Sequence, residues 1–141
     1  MILNENGETV LSYEWGLGHI SNNRAEALAL YQGLLQLGKL GIEAASIFGD
    51  STMVISSMAH KREPLNAHLQ QTLSRCQSLA HYMKDLRFHH VLRSLNKDAD
   101  NQANKACARS QGCLVCNGVE TTQYLPRLLT TILLTSFASN Q

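Results

Sequence analysis

Three acidic side chains in this 141-residue sequence stand where secondary-structure elements should begin or end. Glu26 is read in the first turn of a helix, Asp50 at the end of a short apolar strand, and Asp100 in the first turn of another helix. In an α/β sheet the functional crevice lies beyond the carboxyl ends of parallel strands. Carboxylates gathered there are the hard oxygen ligands that Mg²⁺ takes. Each acid alone also has a plainer role, since Asp or Glu near a helix N-terminus complements the macrodipole. Asn22 and Asn23 offer donor and acceptor atoms. Asn23 also has capping-box spacing to Glu26, with Asn in place of Ser or Thr. His90 has the reading of a satisfied strand histidine.

These residues need elements to hold them. Ala25, Leu28, Ala29, Gln32 and Leu35 recur at helical spacing until Gly41 stops the run, which predicts a helix over 23–40. A buried strand over 44–48 follows and runs into Gly49-Asp50-Ser51, then a short helix from Thr52 to Met58, broken by Lys61-Arg62-Glu63-Pro64. Leu65, Leu69, Leu73, Cys76, Leu79, Ala80 and Met83 predict a second long helix over 65–84. Period-2 alternation marks a strand over 86–92, and Asn96 caps a third helix over 97–108. At the N-terminus an Asn6-Gly7 reversal predicts a β-hairpin whose first arm is unusually short, as if the chain began partway through a strand. Further turns are read at Gly112 and at Asn117-Gly118. Helices alternating with buried strands predict one α/β domain.

Composition narrows the function classes. With 12 Lys+Arg against 11 Asp+Glu, the net charge of +1 gives no global reason to bind nucleic acid or anionic lipid. The charge is uneven, however: residues 1–60 hold two basic and six acidic side chains, and residues 61–109 hold nine basic and four acidic. Four cysteines without an N-terminal apolar signal segment read as reduced thiols of a cytoplasmic or nuclear protein, with no disulfide partner. Cys113 and Cys116 make one C-x-x-C, but no second ligand pair follows for a zinc site. The apolar run from Leu128 to Ala138 is far shorter than the ~20 residues that span a bilayer, so no membrane partner is expected.

The motifs resemble the ribonuclease H type 1 family, particularly the plant retroelement-derived, reverse-transcriptase-like RNase H domains. Ser21-Asn22-Asn23-Arg24-Ala25-Glu26 resembles the family's T-N-N-x-x-E helix start, and Ile47-Phe48-Gly49-Asp50-Ser51 its strand-G-D-S element. The run from His90 to Asn104 resembles the signature H-V-x-R-x-x-N-x-x-A-D-x-x-A-N. The resemblance covers residues 1–126 as an RNase H-like domain and leaves 127–141 as an unassigned apolar tail.

That resemblance implies an RNase H-like mixed sheet flanked by helices, and hydrolysis of the RNA strand of RNA:DNA hybrids. It implies metal ligation by Glu26, Asp50 and Asp100, with two Mg²⁺ or Mn²⁺ ions in a complete site, and a proton-transfer or product-release role for His90. Ser21, Asn22, Asn23, Ser51 and Asn96 would contact the nucleic acid, the two asparagines across the minor groove where 2′-hydroxyls distinguish RNA. One departure stands out. The family's first catalytic carboxylate, an Asp on the first strand before a Gly-rich turn, has no counterpart here, which implies an N-terminally truncated domain of impaired activity. A catalytically inactive nucleic-acid-binding relic and an interaction module are the alternatives.

Overall fold

The computed structural model describes residues 1–109, 114–116, 119–121 and 133–134; for Tyr13, Ala99, Asp100, Gln102, Ala106 and the residues beyond 109 the description is of the backbone alone. Strands β1 (Ile2–Leu3) and β2 (Thr9–Leu11) pair antiparallel with a register irregularity between Ile2 and Leu3. Gly7, at φ +79, permits the reversal, and Asn4 Oδ1 accepts from the backbone N–H groups of Asn6 and Glu8. A separate strand β3 (Tyr13–Trp15) follows.

Helix α1 (Asn22–Lys39) is the centre of the packing. Ser21, in extended conformation, is its N-cap, without a side-chain cap bond. The capping box expected between Asn23 and Glu26 is therefore not formed, and Glu26 lies in the second turn, not the first. The C-terminal end matches expectation. Gly41, at φ +69, sits just past the Leu40 cap; its N–H donates to the Gly38 carbonyl at 3.2 Å and the Ile42 N–H to the Leu37 carbonyl at 2.9 Å. This is a Schellman closure, which favours glycine at the left-handed position.

Strand β4 (Ala44–Gly49) leads to α2 (Thr52–His60), α3 (Ala67–His81) and β5 (Asp85–His90). β4 and β5 are parallel, in register from Ala44↔Asp85 to Gly49↔His90, and the two intervening helices form the crossover that parallel strands require. Asn66 caps α3 by accepting from the Leu69 N–H at 3.0 Å, so Leu65 stays outside the helix, fully exposed. A 3₁₀ turn (Arg93–Leu95) precedes α4 (Lys97–Cys107). Strands β6 (Leu114–Cys116) and β7 (Val119–Thr121) extend β3 antiparallel, and β8 (Leu133–Leu134) pairs parallel with β4. The turns expected at Gly112 and at Asn117-Gly118 lie outside the described residues. The sheet is thus described as three small sheets, ordered β1-β2, β3-β6-β7 and β5-β4-β8.

The core lies between α1, α3 and the inner face of β4. Ala27, Leu30, Leu34, Ile47, Val54 and Cys76 are fully buried, with Leu37, Leu69 and Leu73 close behind. Burying each such Leu or Ile contributes about 1.5–3 kcal/mol. One turn of α1 before Leu30, on the same buried side, stands Glu26.

Candidate carboxylate site

Glu26 is fully buried, and neither of its carboxylate oxygens has a hydrogen-bond partner. A carboxylate so placed is costly unless it is protonated or meets a cation. Burial is the main force on it, and the neighbouring Asp50 adds to it. Together they lift the Glu26 pKa to about 9, against a weaker downward pull from the hydroxyl and backbone of Ser51. A protonated Glu26 can donate to Asp50, which then bears the negative charge.

Asp50 follows directly on Gly49, the last residue of β4, at the carboxyl end of the parallel pair. Its side chain is 4% exposed. Burial pushes its pKa up, but the adjacent Glu26 carboxyl and the Arg93 guanidinium outweigh that and hold it below the usual carboxylate value. Arg93 Nε donates to Asp50 Oδ2 at 2.9 Å, while Asp50 Oδ1 is buried without a partner. Three carboxylate oxygens on two residues are thus buried with no donor aimed at them.

The surrounding side chains are fixed by α2 and β5. Ser51 caps α2, accepting from the Val54 N–H at 3.2 Å, and its hydroxyl donates to Asn23 Oδ1 at 2.8 Å. Asn23 Nδ2 lies 3.7 Å from Met53 Sδ. Asn23 is therefore engaged within the protein, whereas Asn22 Oδ1 is buried without a partner. His90, the last residue of β5, places Nε2 at 3.1 Å from Thr52 Oγ1 and 3.2 Å from the Asp50 carbonyl oxygen.

The structure thus brings together Glu26, Asp50, Ser51, Asn23 and His90 from the residues singled out in sequence. Ser21 ends the loop before α1, and Asn96, 5% exposed, ends the 3₁₀ turn before α4. Asp100 is the fourth residue of α4, and its side chain lies outside the described residues. Among the described residues no group of three His, Cys, Asp or Glu side chains gathers as metal ligands. Sequence reasoning missed Arg93 and Thr52. Arg93 sits inside the H-V-x-R motif, three residues after His90, and its place in that motif was the available signal. Glu14, 6% exposed on β3, pairs with Arg109 at 3.2 Å.

The fold and the buried pair beyond β4 define an RNase H-like α/β domain. Residues 1–106 match the family described as reverse transcriptase-like, and the chain belongs to that family. The "Bifunctional protein Rv2228c" of Mycobacterium tuberculosis is 31% identical over 90 residues, and so is the "Uncharacterized protein Mb2253c" of Mycobacterium bovis; the match takes in 64% of this chain and 25% of either relative. The chain spans about a quarter of the length of these curated relatives. In structure it is similar to the N-terminal RNase H domain of Rv2228c, solved as a fusion with maltose-binding protein, at 31% identity and a TM-score of 0.58 over 61% of this chain and 62% of that one. It is also similar to RNase H1 of the archaeon Halobacterium salinarum, at 27% identity and a TM-score of 0.66 over 74% of this chain and 79% of that one. Among the described residues no helix is long and apolar enough to cross a membrane.

Proposed function

We propose that this domain hydrolyses the RNA strand of RNA:DNA hybrids as a divalent-metal-dependent endonuclease. The observation that carries the reading is Glu26, fully buried beside Asp50 with both oxygens unpartnered. Carboxyl oxygens without hydrogen-bond partners fit Mg²⁺ or Mn²⁺, whose binding would displace the Glu26 proton. Glu26, Asp50 and Asp100 would hold the metal, which supplies charge neutralisation at the attacking water and the leaving oxygen, through two ions in a complete site.

The remaining residues have separate tasks. Arg93 keeps Asp50 ionised, and Thr52 tethers His90 so that its Nε2 is placed to carry a proton beside Asp50. Ser51 and Asn23 brace the start of α2 against α1. Asn22 offers an unsatisfied amide oxygen that suits a 2′-hydroxyl donor, with Ser21 and Asn96 flanking as phosphate contacts. The basic excess of residues 61–109 suits a polyanionic partner. Plant-type retroelement ancestry and action in the cytoplasm or nucleus belong to the same proposal, supported by the motif resemblance and the cysteine usage.

The test is cleavage of an end-labelled RNA:DNA hybrid by residues 1–141 with and without Mg²⁺. Slow, Mg²⁺-dependent cleavage that Asp50→Asn abolishes, with duplex DNA untouched, is the expected result. Salt-dependent hybrid binding without cleavage would replace this reading with that of a nucleic-acid-binding relic, and neither activity would leave an interaction module.

A further inference from the structure

The edge of β4 that faces away from β5 is taken, at Phe48 and Gly49, by Leu133 and Leu134 of β8, running parallel. Gly49 is therefore gripped from both sides, by His90 of β5 and by Leu134 of β8, and the next residue is Asp50. β8 also lies against α1, which carries Glu26, and against α4, which carries Asp100. One short strand thus touches the three elements that bear the site's carboxylates.

The sequence around it suits that slot. The stretch from Leu128 to Ala138 contains no charged residue, and Thr130-Thr131-Ile132 leads into Leu133-Leu134. β-branched residues favour strands, and near-continuous apolar runs are the mark of strands enclosed within parallel sheets. A buried strand edge left without partners is costly and invites pairing with other chains.

We propose that Leu133–Leu134 is the domain's own sheet-completing strand, held in the same molecule, and that its grip on β4 positions Asp50. The strand's role does not depend on the proposed reaction; its effect on ion binding does rest on that reading.

Hydrogen exchange on the full chain tests this. In the wild-type protein the amides of Leu133 and Leu134 should exchange at least tenfold more slowly than in a free peptide of residues 128–138. In the double variant Leu133→Pro/Leu134→Pro, which removes two N–H donors, exchange at Phe48, Gly49 and Asp50 should speed up at least tenfold. A proline at Ser139 should leave it unchanged. Adding the free 128–138 peptide to the double variant should restore protection of β4, or restore the fold if the variant cannot fold alone. Free-peptide exchange rates at Leu133 and Leu134 in the wild-type chain would overturn the proposal, whatever the variants do. So would unchanged protection of β4 in the double variant. Protection found only in a strand-exchanged dimer would assign the strand to a second copy and overturn its placement within one molecule. Mn²⁺ binding, measured by calorimetry, should weaken about tenfold in the double variant. Absence of Mn²⁺ binding by the wild-type chain would count against the hydrolytic reading and leave the exchange results to decide the strand.

Discussion

Replacing Glu26 by Gln should stabilise the metal-free protein. In the unfolded chain this carboxyl ionises at its ordinary value of 4.5, whereas in the fold it holds its proton up to about 9. A folded pKa above the unfolded one means that the folded state binds the extra proton. Its relative stability is intact below 4.5 and is lost as the pH climbs towards 9. At pH 7 the gap from 4.5 is 2.5 units, which at 1.36 kcal/mol per unit is about 3 kcal/mol of lost stability. Glutamine keeps the shape and can still donate to Asp50, but carries no titratable proton. For a domain of this length, about 3 kcal/mol corresponds to a rise in Tm on the order of 10 °C. The assay is thermal unfolding followed by circular dichroism from about pH 5 to about pH 9. Wild-type Tm should fall steadily across that range, and the Gln variant should be higher and flatter. Saturating Mg²⁺ should raise the wild-type curve and leave the variant unmoved. A wild-type Tm that is level between about pH 5 and about pH 8, or a Gln variant less stable at pH 7, would refute the reasoning about burial.

Arg93→Ala leaves the 4%-exposed Asp50 carboxylate without its cation and should cost about 1–3 kcal/mol in urea unfolding, with Lys restoring only part because it cannot reproduce the guanidinium fork. Ser51→Ala removes both the α2 cap and the link to Asn23, and should cost about 1 kcal/mol by the same measurement. The pair Asn22→Ala/Asn23→Ala should lower the preference for RNA:DNA hybrid over duplex DNA at matched salt.

The helices were legible because their signals are local. The Ala25-Leu28-Ala29-Gln32-Leu35 spacing and Gly41 marked where α1 lies and how it ends, although the leucines it buries most deeply are Leu30, Leu34 and Leu37, and the β4 and β5 boundaries were read to within two residues. The start of α1 was misread because Asn23 satisfies a spacing rule that Ser21 pre-empts, and the amide of Asn23 instead reaches Ser51, 28 residues on. The meeting of Glu26 with Asp50 followed from motif order. The Arg93 pairing with Asp50 did not, because it joins residues 43 apart and no local period encodes it. The hold of Leu133–Leu134 on β4 escaped for the same reason: a two-residue strand has no measurable alternation, and its partner β4 lies far away in the sequence.

Cys76 gives the molecule an internal clock. Its thiol is fully buried at the seam of α3 and α1, with Sγ 3.7 Å from the Ala27 carbonyl oxygen, and burial pushes its pKa to about 12. Alkylating reagents attack the thiolate, so at neutral pH the sulfur is shielded twice, by packing and by protonation. Cys107, exposed on α4, has no such packing shield. Site-resolved mass spectrometry of a timed alkylation would therefore show Cys107 modified early and Cys76 only when the two helices part. The rate at Cys76 then reports how often the centre of the domain opens.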